Sequence, residues 1–225
     1  MEENKLNIIN NPQIQKLEEK PLSEMKGSEI QDRNMDNYKN NNLDSFRPSV
    51  IWIEPTNFCN LRCTMCPHSD GTMTRKKGFM NIEVFKQIID EVKEWKPAIK
   101  LFHLGESFIH PKIEEMIVYA SKAGCFTMLN TNGNLIDQKK AEMILDSGLD
   151  YLSFSLDGAT KETYEKIRVG GNYEETLNNM VNFLELKKER QQRKPFVNIE
   201  MIHMKDTEDE VSKFRETFSK LPADN

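Results

Sequence analysis

The sequence lacks the motifs of several large enzyme classes. It contains no G-x-x-x-x-G-K-[ST] run, no G-x-G-x-x-G after a predicted strand and no H-E-x-x-H. Nucleotide hydrolysis, dinucleotide redox chemistry and zinc proteolysis therefore have no support in the sequence. It also lacks an apolar stretch long enough to cross a membrane. Its first five residues, MEENK, lack the basic and apolar regions of a secretory signal.

The sequence also has a small net charge and few cysteines. The 225 residues carry a formal net charge of −5, which indicates no broad attraction to nucleic acid or to an anionic membrane. Only four cysteines are present, and three of them lie within eight residues. Clustered cysteines without a secretory signal indicate metal binding in a reducing cytoplasm rather than disulfides. Cys125 stands alone and is predicted to be a buried packing residue.

The three clustered cysteines are Cys59, Cys63 and Cys66, in the pattern C-x3-C-x2-C. Closely spaced thiolates bind soft metals, above all iron–sulfur clusters and zinc. Three thiolates leave one iron of a cubane cluster open to a small molecule, and His68 is the only nearby side chain that could close it. The alternatives are a zinc knuckle or cysteines scattered in the core. The zinc knuckle is less favoured because structural zinc normally has four ligands.

From Pro48 onward, apolar strands alternate with amphipathic helices. The predicted strands are Val50–Glu54, Ile99–Leu104, Phe126–Asn130, Tyr151–Leu156 and Phe196–Ile202. Asn81 and Asp137 are predicted N-caps, and Thr207 with Glu210 predicts a capping box for the last helix. Five strand–helix units in series predict an α/β fold with a parallel sheet and right-handed crossovers. Residues 1–47 are polar and poor in aromatics, so they predict a disordered tail.

The run EPTNFCNLRCTMCPHS, which contains the three cysteines, resembles the radical S-adenosylmethionine (SAM) superfamily. It is similar to the branch whose members often carry a C-terminal SPASM domain. The resemblance implies a partial, open TIM-like barrel of six strand–helix units. The chain stops at Asn225, where strand six is expected to begin. We therefore expect residues 48–225 to form a C-terminally incomplete radical SAM core, without an auxiliary cluster because only Cys125 is left over.

The resemblance also implies the chemistry. Cys59, Cys63 and Cys66 would hold a [4Fe-4S] cluster whose open iron chelates the amino and carboxylate groups of SAM. Reductive cleavage of SAM would yield methionine and a 5′-deoxyadenosyl radical that abstracts hydrogen from a substrate. Met65 fills a position that in the family often touches adenine, with local packing as the alternative.

Motifs at the ends of strands two and three extend the resemblance, because active sites of parallel barrels lie on the loops after the strands. HLGES resembles a Gly-Gly-Glu run with leucine in place of the first glycine. It implies that Gly105 and Glu106 bind SAM, with the carboxylate accepting from the amino group. The alternative for Glu106 is an exposed loop residue. Asn132 lies in a TNG run that in the family is near SAM, although Asn-Gly is also a common turn.

Strands four and five end in further candidates. Ser155 matches a family position that contacts the SAM carboxylate or ribose. Arg168 would pair with the SAM carboxylate, because arginine suits bidentate carboxylate binding. The alternative for Arg168 is a solvated helix end. His203 or Met204 is a weaker candidate for lining the pocket, and His110 is interpreted as a turn residue.

The sequence identifies neither a general acid or base nor a substrate. The resemblance implies a peptide, a sugar or another small molecule as substrate, and an electron donor such as flavodoxin or ferredoxin. The alternative function is a non-catalytic iron–sulfur or SAM-binding remnant, or an electron carrier. A simple carrier needs four cluster ligands and a small fold, which the long strand–helix series does not match.

Overall fold

The computed structural model describes residues 47–225, so all of the predicted tail except Arg47 lies outside the described residues. Five strands and seven α-helices follow one another in this part of the chain. The strands are β1 Val50–Trp52, β2 Ala98–Lys100, β3 Phe126–Thr131, β4 Tyr151–Ser155 and β5 Phe196–Glu200. The helices are α1 Pro67–Asp70, α2 Ile82–Val92, α3 Ile113–Lys122, α4 Gln138–Asp146, α5 Lys161–Ile167, α6 Tyr173–Glu189 and α7 Val211–Phe218.

The five strands form one open parallel sheet in the order β1-β2-β3-β4-β5. Each strand pairs with its neighbours in the chain, as in the register that joins Leu129 to Leu152 and Leu152 to Val197. Helices connect successive strands, as parallel pairing requires. The predicted α/β fold with about five units of a partial, open TIM-like barrel is confirmed.

The two faces of the sheet have different surroundings because successive side chains of a strand point to opposite sides. One face carries four fully buried residues: Ile99, Leu129, Leu152 and Val197. They belong to the hydrophobic core, which also contains buried apolar residues of the helices. On the opposite face, Trp52 is 56% exposed. Phe196 on the same face is 43% exposed, so this second face is less completely covered than the first.

Local capping signals start two of the helices as predicted. The Asn81 side chain accepts from the backbone N–H groups of Glu83 and Val84 at the start of α2. Asp137 accepts from Lys140 N at 2.8 Å at the start of α4. Each cap satisfies backbone donors that have no partner within the helix.

The predicted capping box before α7 is wrong. The Thr207 hydroxyl donates to Ile202 O at 2.7 Å and accepts from Met204 N at 2.8 Å, so it closes the preceding turn instead. The Glu210 carboxylate accepts from Ala159 N and from the hydroxyl of Thr160. These donors come from the loop after β4, and they outcompete the local capping arrangement.

Strands β1 and β2 end earlier than predicted. β2 stops at Lys100, although Leu101 N still donates to Met128 O at 2.8 Å. Ile53 N likewise donates to Lys100 O at 2.9 Å just beyond β1. The residues that follow are irregular because their backbone atoms form the loops at the carboxyl end of the sheet.

The last two residues lie along the outer edge of β5. Asn225 N donates to Val197 O and Asn225 O accepts from Ile199 N, which is a parallel pairing pattern. Asp224 accepts from Val197 N at 2.8 Å and forms a 2.5 Å ion pair with the buried Lys187 of α6.

Among residues 47–225 no helix combines the length and apolarity that crossing a bilayer requires.

Candidate functional site

A cavity of about 380 Å³ opens at the carboxyl ends of the five strands. All nine predicted site residues line it, together with Glu200, which the sequence did not point to. The nine are Cys59, Cys63, Met65, Cys66, Gly105, Glu106, Asn132, Ser155 and Arg168. Its volume falls within the usual range of small-molecule sites, about 300–1,000 Å³.

A second cavity of about 630 Å³ lies between β5 and α7. Its lining includes His203 and Phe214 but none of the cysteines in the described part of the chain. Glu200 lines both cavities. His203 therefore lies in the neighbouring cavity, and Met204 lines neither.

The cysteine loop is held by backbone hydrogen bonds to distant segments. Arg62 N donates to Val169 O at 2.8 Å, and Thr64 N donates to Ile167 O at 2.9 Å. These bonds fix the loop on both sides of Cys63 against the end of α5. The loop after β1 is therefore positioned by the loop after α5, a contact across more than 100 residues.

The three cysteine side chains share one cavity wall as free thiols. Burial raises the pKa of Cys63 to about 11 and also raises the pKa of Cys59. Thiols with raised pKa values must lose protons before they can bind a metal. Within residues 47–225, no three His, Cys, Asp or Glu side chains already form a metal-binding geometry.

The donor set nevertheless fits an iron–sulfur cluster. The cavity supplies three soft thiol ligands and, beside Cys63, the positive charge of Arg168. His68, the predicted candidate for a fourth ligand, does not line the cavity. Both of its ring nitrogens are buried without a hydrogen-bond partner in the described residues. Of the four candidate ligands, the three cysteines therefore line the cavity and His68 does not.

Glu106 is buried, so its alternative interpretation as an exposed loop residue is wrong. Its carboxylate accepts from Asn132 N at 2.8 Å, from the hydroxyl of Thr131 at 3.0 Å and from Phe108 N at 3.3 Å. Burial raises the pKa of Glu106, although these donors oppose the shift. The described hydrogen-bond partners are neutral, so the carboxylate can still receive a cationic group from the cavity.

Gly105 is required by the close approach of two loops. A Cβ atom built there would lie 2.0 Å from Thr56 O and 2.9 Å from the Asn57 Cα. Both neighbours are backbone atoms of the loop that leads to the cysteines. The glycine therefore lets the loops after β1 and β2 touch, in keeping with a role in shaping the cavity.

We expect Gly105→Ala to lower the free energy of unfolding by about 2–3 kcal/mol, because backbone must move to admit the methyl group. The measurement is urea denaturation of the metal-free protein, followed by circular dichroism. Gly78→Ala is the matched control, since nothing lies within 4 Å of the added Cβ, and we expect a change of at most about 0.5 kcal/mol. Equal effects of the two substitutions would contradict the role assigned to Gly105.

Asn132 joins the end of β3 to the cysteine loop. Its side-chain amide donates to Asn60 Oδ1 at 2.9 Å, and its Oδ1 accepts from Asn134 N at 3.0 Å. Its backbone N–H donates to Glu106. Asn132 therefore ties three loops of the cavity together.

Arg168 is buried and paired, so the solvated alternative is wrong. Its Nε and Nη2 both bond to Asp157 Oδ2, at 2.8 and 2.5 Å. Burial alone would lower the pKa of Arg168, but Asp157 and the neighbouring Cys63 raise it. Asp157 has a left-handed backbone with φ of 55°, and its Oδ1 accepts from Ile202 N. The pair is thus fixed between the ends of β4 and β5.

Ser155 meets a carboxylate that the sequence analysis missed. Its hydroxyl donates to Glu200 Oε1 at 2.9 Å, and the same oxygen accepts from Asn130 Nδ2 at 2.8 Å. The available signal was a charged residue in the run VNIEMI, in which four of the six residues are apolar. His110 is buried, bonds to Met80 O and accepts from Lys112 N, in agreement with a turn residue.

Comparisons with known proteins agree with this arrangement. Residues 53–218 match the Radical SAM superfamily. The chain is 31% identical over 137 residues to the Fe-coproporphyrin III synthase of Methanosarcina barkeri, covering 60% of this chain and 34% of that protein. It is 34% identical over 131 residues to an AdoMet-dependent heme synthase of the same organism, covering 58% and 37%. Mycofactocin maturase MftC of Mycobacterium ulcerans is 29% identical over 126 residues, covering 56% and 34%.

The chain spans about a third of the length of these curated relatives. Among solved structures, Streptococcus suis SuiB bound to the precursor peptide SuiA superposes with a TM-score of 0.64 at 15% identity, covering 84% of this chain and 41% of that one. The native anSMEcpe structure with bound AdoMet gives a TM-score of 0.61 at 24% identity, covering 77% and 49%. At these identities the structural likeness shows the fold alone.

Proposed function

The chain belongs to the radical SAM superfamily, with relatives in its SPASM-associated branch, and on this premise we propose that it is a radical SAM enzyme or part of one. Its cavity would bind a [4Fe-4S] cluster and SAM. One observation carries this proposal: a single cavity is lined by all nine predicted residues. They come from the loops and strand ends of the first four strand–helix units. Glu200 adds the fifth strand to the same wall.

Cys59, Cys63 and Cys66 are proposed to hold the cluster. Three ligands leave one iron free for SAM, and the described cavity wall supplies no fourth cysteine. When bound, the cluster and SAM together supply one-electron chemistry that removes a hydrogen atom from a substrate. The loop bonds to Ile167 and Val169 hold the thiols at the cavity wall.

Two oppositely charged side chains are proposed to orient SAM. Glu106 would receive its amino group, because this cavity carboxylate is bonded to neutral donors. Arg168 would receive its carboxylate, because Asp157 engages Nε and Nη2 and leaves Nη1 for a ligand. Met65, which is 38% exposed on the cavity wall, is proposed to contact the adenine.

The relatives differ in what their names say they make or mature, from Fe-coproporphyrin III and heme to mycofactocin. We propose a peptide, a sugar or another small molecule as the substrate of this chain. The electron donor is proposed to be a flavodoxin or a ferredoxin.

The proposal is tested by electron paramagnetic resonance of the full chain, reconstituted with iron and sulfide without oxygen and reduced with dithionite. We expect a [4Fe-4S] signal that changes when SAM is added, and formation of 5′-deoxyadenosine in the same sample. A cluster signal that does not change when SAM is added would instead favour an electron carrier or a non-catalytic remnant. Stoichiometric zinc without iron would contradict the proposal altogether.

A further inference from the structure

The hydroxyl of Tyr164 lies at the centre of a hydrogen-bonded group of side chains outside the cavity. Tyr164 belongs to α5, and its side chain is fully buried. Its hydroxyl lies 2.9 Å from Thr176 Oγ1 of α6 and accepts from Asn134 Nδ2 at 2.9 Å. None of these three side chains lines the cavity. The group can therefore act on a ligand in the cavity only through the residues that it holds in place.

The protons of this group have one arrangement. The Thr176 hydroxyl donates its single proton to Asn172 O at 2.8 Å, so it can only accept from its other neighbours. Tyr164 must then donate to Thr176, and Asn134 Nδ2 donates to both hydroxyls. Burial raises the pKa of Tyr164, although its bonds to Thr176 and Asn134 oppose the shift, so the hydroxyl keeps the proton that it donates.

One end of the group is the loop after β3. Asn134 Nδ2 also donates to Asn132 O at 3.2 Å, and Asn134 N donates to Asn132 Oδ1 at 3.0 Å. Asn179 Nδ2 of α6 donates to Gly133 O and Asn134 O, at 3.1 and 3.2 Å. Asn132 N in turn donates to the Glu106 carboxylate at 2.8 Å. The position of this carboxylate therefore depends on how the loop is held.

The other end of the group is the C-terminus of α5. Arg168 N donates to Tyr164 O at 2.7 Å, and Arg168 lines the cavity. The carbonyl groups on either side of Arg168 accept from backbone N–H groups of the cysteine loop. Tyr164 thus joins the loop that orients Glu106 to the helix end that carries Arg168 and holds the cysteine loop.

We propose that the Tyr164 hydroxyl is a positioning group for SAM, because it fixes the separation between Glu106 and Arg168. This inference rests on the proposed binding of SAM, whose amino and carboxylate groups would meet these two side chains. Both ligand groups belong to the same end of SAM, so a small change in that separation weakens two charge-assisted hydrogen bonds at once. Phenylalanine in place of Tyr164 would keep the ring packed but would leave the loop after β3 without this bond to α5.

The test is isothermal titration calorimetry of SAM into the full chain, reconstituted with iron and sulfide without oxygen and left unreduced, so that SAM is not cleaved. Tyr164→Phe should raise the dissociation constant by about 3- to 10-fold, the usual worth of one hydrogen bond between neutral groups. The iron content and the number of SAM molecules bound per chain should stay unchanged. A merely structural role would instead lower the number bound per chain, because unfolded chains bind no SAM, without changing the dissociation constant of the remainder.

Tyr173→Phe is the matched control, because it removes the same atom from the neighbouring ring. The ring centroids of Tyr164 and Tyr173 lie 5.5 Å apart, but the Tyr173 hydroxyl donates to Ala159 O at 3.3 Å. This bond holds the loop after β4 and not the loop after β3. The control variant should therefore keep the wild-type dissociation constant.

Substitutions of Thr176 carry the test if circular dichroism shows that Tyr164→Phe is unfolded. Thr176→Val removes the acceptor and should weaken SAM binding by a similar factor, whereas Thr176→Ser keeps the hydroxyl and should stay within about twofold of the wild type. An unchanged dissociation constant in Tyr164→Phe, or equal losses in Thr176→Val and Thr176→Ser, would overturn this inference alone. Wild-type protein that binds no SAM would refute the proposed function, and this inference with it.

Discussion

Replacing Cys63 by alanine should lower the iron bound by the anaerobically reconstituted protein by about tenfold or more. The cavity offers three thiols and no further cysteine in its described wall, so the loss of one leaves too few ligands to hold a cluster. Cys59→Ala and Cys66→Ala should behave alike. The measurement is iron and sulfide content per chain after removal of unbound metal.

Cys125→Ala provides a control with the same chemical change. Cys125 is 3% exposed in the hydrophobic core, as predicted, and it does not line the cavity. Its replacement should leave the iron content unchanged while lowering the free energy of unfolding by about 1 kcal/mol through the small void it creates. Iron retained by Cys63→Ala, or lost equally from Cys125→Ala, would refute the assignment of the ligands.

Asp157→Asn should lower the free energy of unfolding of the metal-free protein by about 3–5 kcal/mol. The Asp157 side chain is 1% exposed and that of Arg168 is 10% exposed. Loss of the carboxylate charge therefore leaves a buried guanidinium uncompensated. It also weakens the bond from Ile202 N that ties the end of β5 to the loop after β4. Urea denaturation, monitored by circular dichroism, measures the change.

The ion pair between Lys166 and Asp206 is the matched comparison. Its N–O distance is 2.8 Å, similar to the buried pair, but its side chains are 69% and 54% exposed. Asp206→Asn should therefore cost at most about 1 kcal/mol. If the two substitutions destabilised the protein equally, the buried pair would contribute no more than a surface contact, and the account of Arg168 would fail.

The parts of the fold that depend on neighbouring residues were predictable from the sequence. Asn81 and Asp137 cap their helices through backbone N–H groups two or three positions away. The five strands could be identified in the sequence as short apolar runs between predicted helices. Because parallel strands bring their carboxyl ends to one edge, the motifs at those ends could be expected to lie together. The cavity contains nine of these candidates, but His203 lines the neighbouring cavity and Met204 lines neither.

The parts that depend on distant partners were not predictable. Glu210 had the right spacing to cap α7, but the loop after β4 supplies better donors across about 50 residues. Glu200 resembled an isolated charge in a strand until the register placed Asn130 and Ser155 beside it. The pairing of Arg168 with Asp157 likewise depends on the tertiary fold. The residue type alone could therefore not decide whether the Arg168 side chain is exposed or buried.

The strand order has a consequence for how the chain folds. Every strand pairs with its sequence neighbours, and β3 and β4 are joined by the shortest stretch, since Met128 pairs with Tyr151. Closing a short loop costs less entropy than closing a long one, so this central pair has the smallest penalty to overcome. No later strand must insert between two that are already joined. A chain leaving the ribosome can therefore add β1 to β5 to the sheet in the order of synthesis.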